Sequence, residues 1–217
     1  MIESARPDAV VFDLDGTLVD SAASLHRACG RMLAARGLPQ PDVAKVKTFV
    51  GEGVPTLVRR CLRWAGAQDD PTAFDDFCAI YNADPVSGTT LLPDARETLQ
   101  ALTTSGHPLG LCTNKPEVPT RTLLDALDLG PFGAIAGGDT LPVHKPDPAP
   151  LLHVIRALGA TPDTAIYVGD SRTDWRTAAA SGVRYVHLTG GYETEHPPDG
   201  IWRHIPGLKN LIAAIAR

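Results

Sequence analysis

No stretch of this 217-residue chain approaches the roughly 18 consecutive apolar residues that a membrane-spanning helix needs. The opening MIESARPDAV lacks the apolar centre expected of a secretory leader. Cysteine is scarce: Cys29, Cys61, Cys78 and Cys112 are scattered and form no C-x-x-C pair. That usage points to reduced, mostly buried thiols in a cytoplasmic protein. Positive charge is in deficit, with 20 Lys and Arg against 25 Asp and Glu and a net charge of -5. A nucleic-acid binder would show a basic excess, so that class is set aside. There is no internal repeat and no low-complexity tract. VGEGVP (50–55) lacks the third glycine of a dinucleotide fingerprint.

The chain does contain short apolar runs that alternate with amphipathic ones. Runs at 10–12, 109–112, 134–136, 165–169 and 185–188 read as strands. Segments 94–104, 117–127, 149–158, 173–180 and 208–216 read as helices. This alternation predicts parallel β-α units with both sheet faces covered. Asp94 with Glu97 fits a capping box, Pro116 a first helical position and Ser171 an N-cap. The stretch 21–90 differs: it is helix-rich, offers no core strand and is far longer than a usual β-to-α loop. It reads as a helical insertion. The stretch 189–200, TGGYETEHPPDG, reads as a surface loop at an edge of the site.

Chemistry gathers where the strands end. VVFDLDGTLVDS (10–21) runs an apolar strand straight into Asp13 and Asp15, with Asp20 following. In an extended chain Asp13 and Asp15 point the same way. Such a pair asks for a cation between them, or for a proton on one of them. DLDG is not a calcium loop, because no third acidic residue precedes Gly16 at the right spacing. LGLC ends in Thr113 and Asn114, AIYVG ends in Asp170 with Ser171 and Asp174 after it, and Lys145 lies between in HKPDP. Open α/β sheets bind ligands beyond the carboxyl ends of their strands. Carboxylates suit the oxygen shell of Mg²⁺, one carboxylate can attack phosphorus, and a lysine can hold phosphoryl oxygens. Each feature also has a plainer reading. Asp15-Gly16 can be a turn, Thr113 and Asn114 can cap a helix, Asp174 can complete the cap at Ser171, and Lys145 can be a surface charge. His144, His187 and His196 have no partner spacing and fit loop or core roles.

Taken together, the motifs resemble those of the haloacid dehalogenase-like phosphatases. DLDGTLVDS (13–21) is similar to that family's first motif, Thr113-Asn114 to its second, Lys145 in KPDP to its third, and GDSRTD (169–174) to its fourth. The resemblance implies an α/β fold, a Rossmann-like parallel-sheet core (1–19 and 88–217) with an inserted helical cap domain (20–87). It implies a Mg²⁺-dependent phosphomonoesterase. Asp13 would be nucleophile and metal ligand. Asp15 would be general acid and then base, lending its backbone carbonyl to the metal. Thr113, Asn114 and Lys145 would bind phosphate, Asp170 would bind the metal, and Asp174 would assist. Family dehalogenases lack the second aspartate, so Asp15 speaks against dehalogenation.

Within the family, FVGEGVPTLVRR (49–60), LGLCTNKP (109–116), GGD (137–139) and LTGGY (188–192) look similar to bacterial phosphoglycolate phosphatases. That implies hydrolysis of 2-phosphoglycolate by a cytoplasmic monomer or homodimer, with no nucleic-acid or membrane partner. Another small phosphate ester, pyrophosphate or a phosphosugar-mutase reaction are the alternatives. Glu52 is a departure: an acidic group facing the glycolate carboxylate would repel it.

Overall fold

Val10, Val11 and Phe12 are apolar at consecutive positions, so a strand made of them must be covered on both faces. In the computed structural model, which describes residues 8–192 and 201–216, that strand is β1 (Ala9–Phe12) and all four residues are fully buried. Val10 and Phe12 point to one face and Ala9 and Val11 to the other, following the two-residue period. β4 (Leu109–Cys112), β5 (Ala134–Ala136), β6 (Ala165–Gly169), β7 (Arg184–Leu188) and β8 (Arg203–Ile205) complete a parallel sheet ordered β5-β4-β1-β6-β7-β8. One face packs on α5 (Ala95–Thr104), α6 (Glu117–Ala126) and α9 (Leu211–Ile215), through Leu99, Leu123 and Leu211. The other packs on α7 (Ala149–Ala157) and α8 (Arg172–Ser181), through Leu151, Val154 and Ala178.

The chain leaves β1 toward β4 and β5 on one side and returns through β6 to β7 and β8 on the other. β1 is therefore the point where the winding reverses, and the carboxyl ends of β4, β1 and β6 share one crevice.

Between β1 and β4 come β2 (Val19–Asp20), four helices and β3 (Thr90–Leu91). The helices are α1 (Ala22–Ala34), α2 (Val43–Lys47), α3 (Val54–Trp64) and α4 (Pro71–Ala83). They bury their apolar stripes against one another, in a cluster that includes Leu25, Met32, Leu57, Cys61 and Phe77. Pro71 stands at the first helical position of α4, and Asp70 caps it by accepting from Thr72 N. No helix among the described residues is long and apolar enough to cross a membrane.

Several local expectations need correction. Asp94 makes no capping bond: its φ of 63° is left-handed, whereas an N-cap needs an extended backbone to aim its oxygen at the first turn. Pro116 stands just before α6 rather than in it, with ψ at 150°, and Asp139 Oδ1 caps the helix instead by accepting from Glu117 N at 2.7 Å. The insertion is bounded by an antiparallel pair, β2 with β3, that the sequence did not suggest. The final helix is a 3-10 turn (Leu208–Asn210) followed by α9. Of the loop expected at 189–200, residues 193–200 lie outside the described residues, and so does His196.

Candidate active site

β1 ends where Asp13 N donates to Val168 O at 2.9 Å, so the Asp13 side chain emerges at the mouth of the crevice. The next turn needs φ = 89° at Gly16, which an L-residue rarely adopts. A Cβ there would lie 2.4 Å from Asp170 Oδ2, and one at Gly191 would lie 2.1 Å from Asp170 Cβ. The two glycines let the backbone close around the Asp170 carboxylate. Thr17 Oγ1 donates to Asp170 Oδ1 at 2.8 Å, and Tyr192 N donates to Oδ2 at 2.6 Å.

Lys145 is buried, not a surface charge. Its Nζ lies 2.7 Å from Asp13 Oδ1, 2.6 Å from Asp174 Oδ1 and 2.8 Å from the Tyr167 hydroxyl. Asp174 meets both of its readings. Oδ2 accepts from Ser171 N and Oγ, completing the capping box of α8, while Oδ1 holds Lys145. Asn114 caps nothing. Its Oδ1 accepts from Lys145 N at 2.9 Å, and its Nδ2 donates to Lys145 O and, at 3.0 Å, to Gly51 O of the helical insertion. Thr113 is buried at the same strand end, with Oγ1 accepting from Lys115 N at 3.3 Å. Asp15 turns toward the insertion: Ser21 Oγ donates to Oδ1 at 2.5 Å, and Lys115 Nζ is 3.1 Å from Oδ2.

The charges do not balance locally. Asp13, Asp170 and Asp174 bring carboxylate oxygens within 4.8 Å of one another, all buried, with Lys145 as the cation that bridges two of them. Burial, then repulsion from Asp174, raises the Asp13 carboxyl to about 7 against the pull of Lys145. Burial and the same repulsion push Asp170 well above its ordinary range. Burial also works against the Asp174 carboxylate, but Lys145, Ser171 and Tyr167 outweigh it and hold that group low. Lys145 is held above its usual value because Asp13 and Asp174 overcome the burial penalty. An excess of buried, oxygen-only acid is the donor set of a hard divalent cation. Mg²⁺ therefore fits these residues.

A cavity of about 390 Å³ opens between this cluster and the insertion. Asp13, Asp15 and Asp170 line one end, and Lys47, Glu52, Arg60, Arg172 and Arg176 line the rest. Glu52 is ion-paired with Arg60, which also donates to Phe49 O at 3.1 Å. The repulsion expected from Glu52 is therefore offset by a neighbouring cation. Lys47 is paired with Asp20 at 2.9 Å. Among the described residues Arg176 has no such partner.

Four contributors escaped the sequence reading. Tyr167 reads in sequence as strand core, because its hydroxyl changes no periodicity. Thr17 and Tyr192 reach Asp170 from turns. Lys115 directly follows Thr113-Asn114, but before Pro116 it reads as a solvated charge. His187 packs against Tyr185 and His204 in the core, and His144 Nδ1 lies 2.9 Å from Lys145 O, so neither belongs to a metal cluster among the described residues.

The model of the haloacid dehalogenase-like hydrolase family matches residues 10–188. A phosphoglycolate phosphatase of Cereibacter sphaeroides is 42% identical over 214 residues, 94% of this chain and 96% of that protein. A phosphoglycolate phosphatase of Rhodospirillum rubrum is 46% identical over 198 residues, 87% of this chain and 82% of that one. Among solved structures, a predicted phosphoglycolate phosphatase of Haemophilus somnus 129pt shares the fold with a TM-score of 0.86 and 31% identity, over 96% of this chain and 98% of that one.

Proposed function

The chain belongs to the haloacid dehalogenase-like hydrolase family, and from that premise we propose that it is a Mg²⁺-dependent phosphomonoesterase that hydrolyses 2-phosphoglycolate to glycolate and phosphate. One observation carries the reading of the chemistry: Lys145 bridges Asp13 and Asp174 beside Asp170, at one end of the cavity between the sheet and the insertion. A general binder has no need of a nucleophile, a lysine and a second carboxyl converging there. The names of the relatives support the substrate, as do Lys47, Arg60, Arg172 and Arg176 in the lining of the cavity.

Asp13 attacks phosphorus with a carboxylate oxygen, forming an aspartyl-phosphate as the ester P–O bond breaks. Lys145 engages Oδ1, which leaves Oδ2 for the attack. The departing alkoxide takes a proton from Asp15. Asp15 then removes a proton from the water that attacks phosphorus, and the bond to Asp13 breaks. Thr113 and Lys145 hold the phosphoryl oxygens, and Asn114 fixes Lys145 by both amide contacts. Asp13, Asp170 and the Asp15 backbone carbonyl would hold Mg²⁺, with Asp174 assisting through its neighbours. The bound ion would supply positive charge that offsets the negative charge on the oxygens of the transferring phosphoryl group. Residues 20–87 act as a cap that excludes bulk water during transfer. The four free cysteines suit a reducing cytoplasm.

The test is kcat/KM across a panel of phosphomonoesters, pyrophosphate and hexose phosphates, with Mg²⁺ and with a chelator. The expected result is metal-dependent hydrolysis that prefers 2-phosphoglycolate. Preference for another ester would overturn the substrate and keep the mechanism. Return of the phosphoryl group to sugar would identify a mutase, and no turnover with any compound would remove the enzyme reading.

A further inference from the structure

Lys115 is the second buried ammonium of the site, and the mechanism above leaves it idle. Its Nζ has two polar partners among the described residues: Asp15 Oδ2 at 3.1 Å and the Tyr81 hydroxyl at 2.8 Å. It also lies 4.8 Å above the Tyr81 ring. Burial works against its charge, but Asp15 and Tyr81 outweigh that and hold it charged. A charged ammonium with 3% of its side chain exposed must keep its acceptors, because losing one costs far more than a surface bond.

The two acceptors belong to different parts of the molecule. Asp15 lies in the turn after β1, on the sheet side. Tyr81 is in the last turns of α4, buried in the core of the insertion and stacked on Phe77 at 5.7 Å with rings 9° apart. Lys115 follows β4. A movement of the insertion away from the sheet would carry Tyr81 with Phe77 and strip Lys115 of one partner. Lys47, whose Nζ lies 5.0 Å from the centre of the Tyr192 ring, and Asn114–Gly51 also join the two parts, but neither touches the Asp15 side chain. The Asp15 carboxyl is fixed on one oxygen by Ser21 and on the other by Lys115.

We propose that Lys115 is a positioning residue for Asp15, and that Tyr81 makes this positioning depend on closure of the helical insertion. With the insertion seated, Lys115 is shared between Tyr81 and Asp15, and the carboxyl is aimed into the cavity. With it lifted, the second anchor of Lys115 is gone and Asp15 loses its fixed orientation. Proton donation to the leaving group is thereby confined to the closed, water-poor state. The inference rests on the proposed role of Asp15 as proton donor.

The leaving group separates this from a structural role. An alkoxide needs a proton as it departs, whereas 4-nitrophenolate does not. Lys115→Met and Tyr81→Phe are compared with the parent on an alkyl phosphate (2-phosphoglycolate, or whichever alkyl ester the panel ranks first) and on 4-nitrophenyl phosphate. For Lys115→Met the alkyl-to-aryl ratio of kcat/KM is expected to fall about 10- to 100-fold, the size of a misplaced acid. Tyr81→Phe should move the ratio in the same direction by less, and Lys115→Arg should restore part of it. Equal loss on both esters, or an unchanged ratio, overturns the proposal. If Lys115→Met does not fold, Tyr81→Phe decides alone, since that change removes one hydroxyl and keeps the ring. Asp15→Asn is the reference. If it leaves the ratio unchanged, the acid role of Asp15 is wrong. If it lowers the ratio and the Tyr81 and Lys115 variants do not, this inference is wrong.

Discussion

In the proposed mechanism Asp13 must be ionised to attack phosphorus, yet its surroundings raise its carboxyl to about 7, chiefly through burial. An unfolded chain keeps such a group near 4. Between about pH 4 and 7 the metal-free fold therefore holds a proton that the unfolded chain lacks, and its stability falls as pH rises through that window. A divalent cation on Asp13 and Asp170 must displace the proton. Melting curves should show a Mg²⁺-induced rise in Tm that is larger at about pH 8 than at about pH 6. An equal rise at both would mean that Asp13 is not among the ligands. Asp13→Asn should abolish turnover while leaving the circular dichroism of the fold unchanged. Full activity in that variant would end the covalent mechanism. Asp13, Asp15, Thr113, Asn114 and Asp170 stand out in the sequence because polar groups at the ends of apolar strands have no packing reason to be there, whereas Lys145 and Asp174 stand out through the motifs they belong to. Tyr167 and Lys115 do not. A tyrosine suits a core by size alone, and a lysine beside a proline reads as solvated until its partners are known.

The turn between β1 and β2 shows how an element sets the geometry of a residue far along the chain. Gly16→Ala would place a Cβ 2.4 Å from Asp170 Oδ2, in a backbone with φ = 89°. Gly37 offers a matched control, because its φ is 67° and an added Cβ meets nothing within 4 Å. Both changes pay the left-handed strain, of order 1 kcal/mol. Only Gly16→Ala also displaces Asp170, a ligand in the proposed metal site. Urea unfolding should register a larger loss for Gly16→Ala, and half-maximal activity should need about tenfold more Mg²⁺ in that variant alone. If both variants kept the parental Mg²⁺ dependence, the link between Gly16 and Asp170 would fail. Elements were legible wherever both faces were apolar, as in β1, β4, β5 and β6. β8 escaped because Arg203 and His204 are polar at the sheet edge, where one side needs no cover. β2 and β3 escaped because two residues each give no period. The cap at Asp94 failed for a different reason: residue type suggests a cap, but backbone conformation decides it.

The whole molecule carries a net charge of -5 and must still attract a dianion or trianion. Its cavity resolves this locally, because field lines in a walled cleft follow the nearest charges more than the global sum. Of the cations lining that cavity, Lys47 is committed to Asp20 and Arg60 to Glu52. Arg176 follows Arg172 by one helical turn on α8, lines the same cavity and has no ion-pair partner among the described residues. It is therefore the group best placed to meet a second anionic end of the substrate. Arg176→Gln should lower kcat/KM for 2-phosphoglycolate by about 5- to 50-fold relative to ethyl phosphate, which has no carboxylate, as expected for one lost charge-assisted contact. The parental preference should weaken as ionic strength rises from about 0.01 to 0.5 M, and the variant should show less of that dependence. A variant that kept the full preference at low salt would assign carboxylate recognition to the Glu52–Arg60 pair of the insertion instead. Exchange of those two residues for neutral ones would then be the change that moves the ratio.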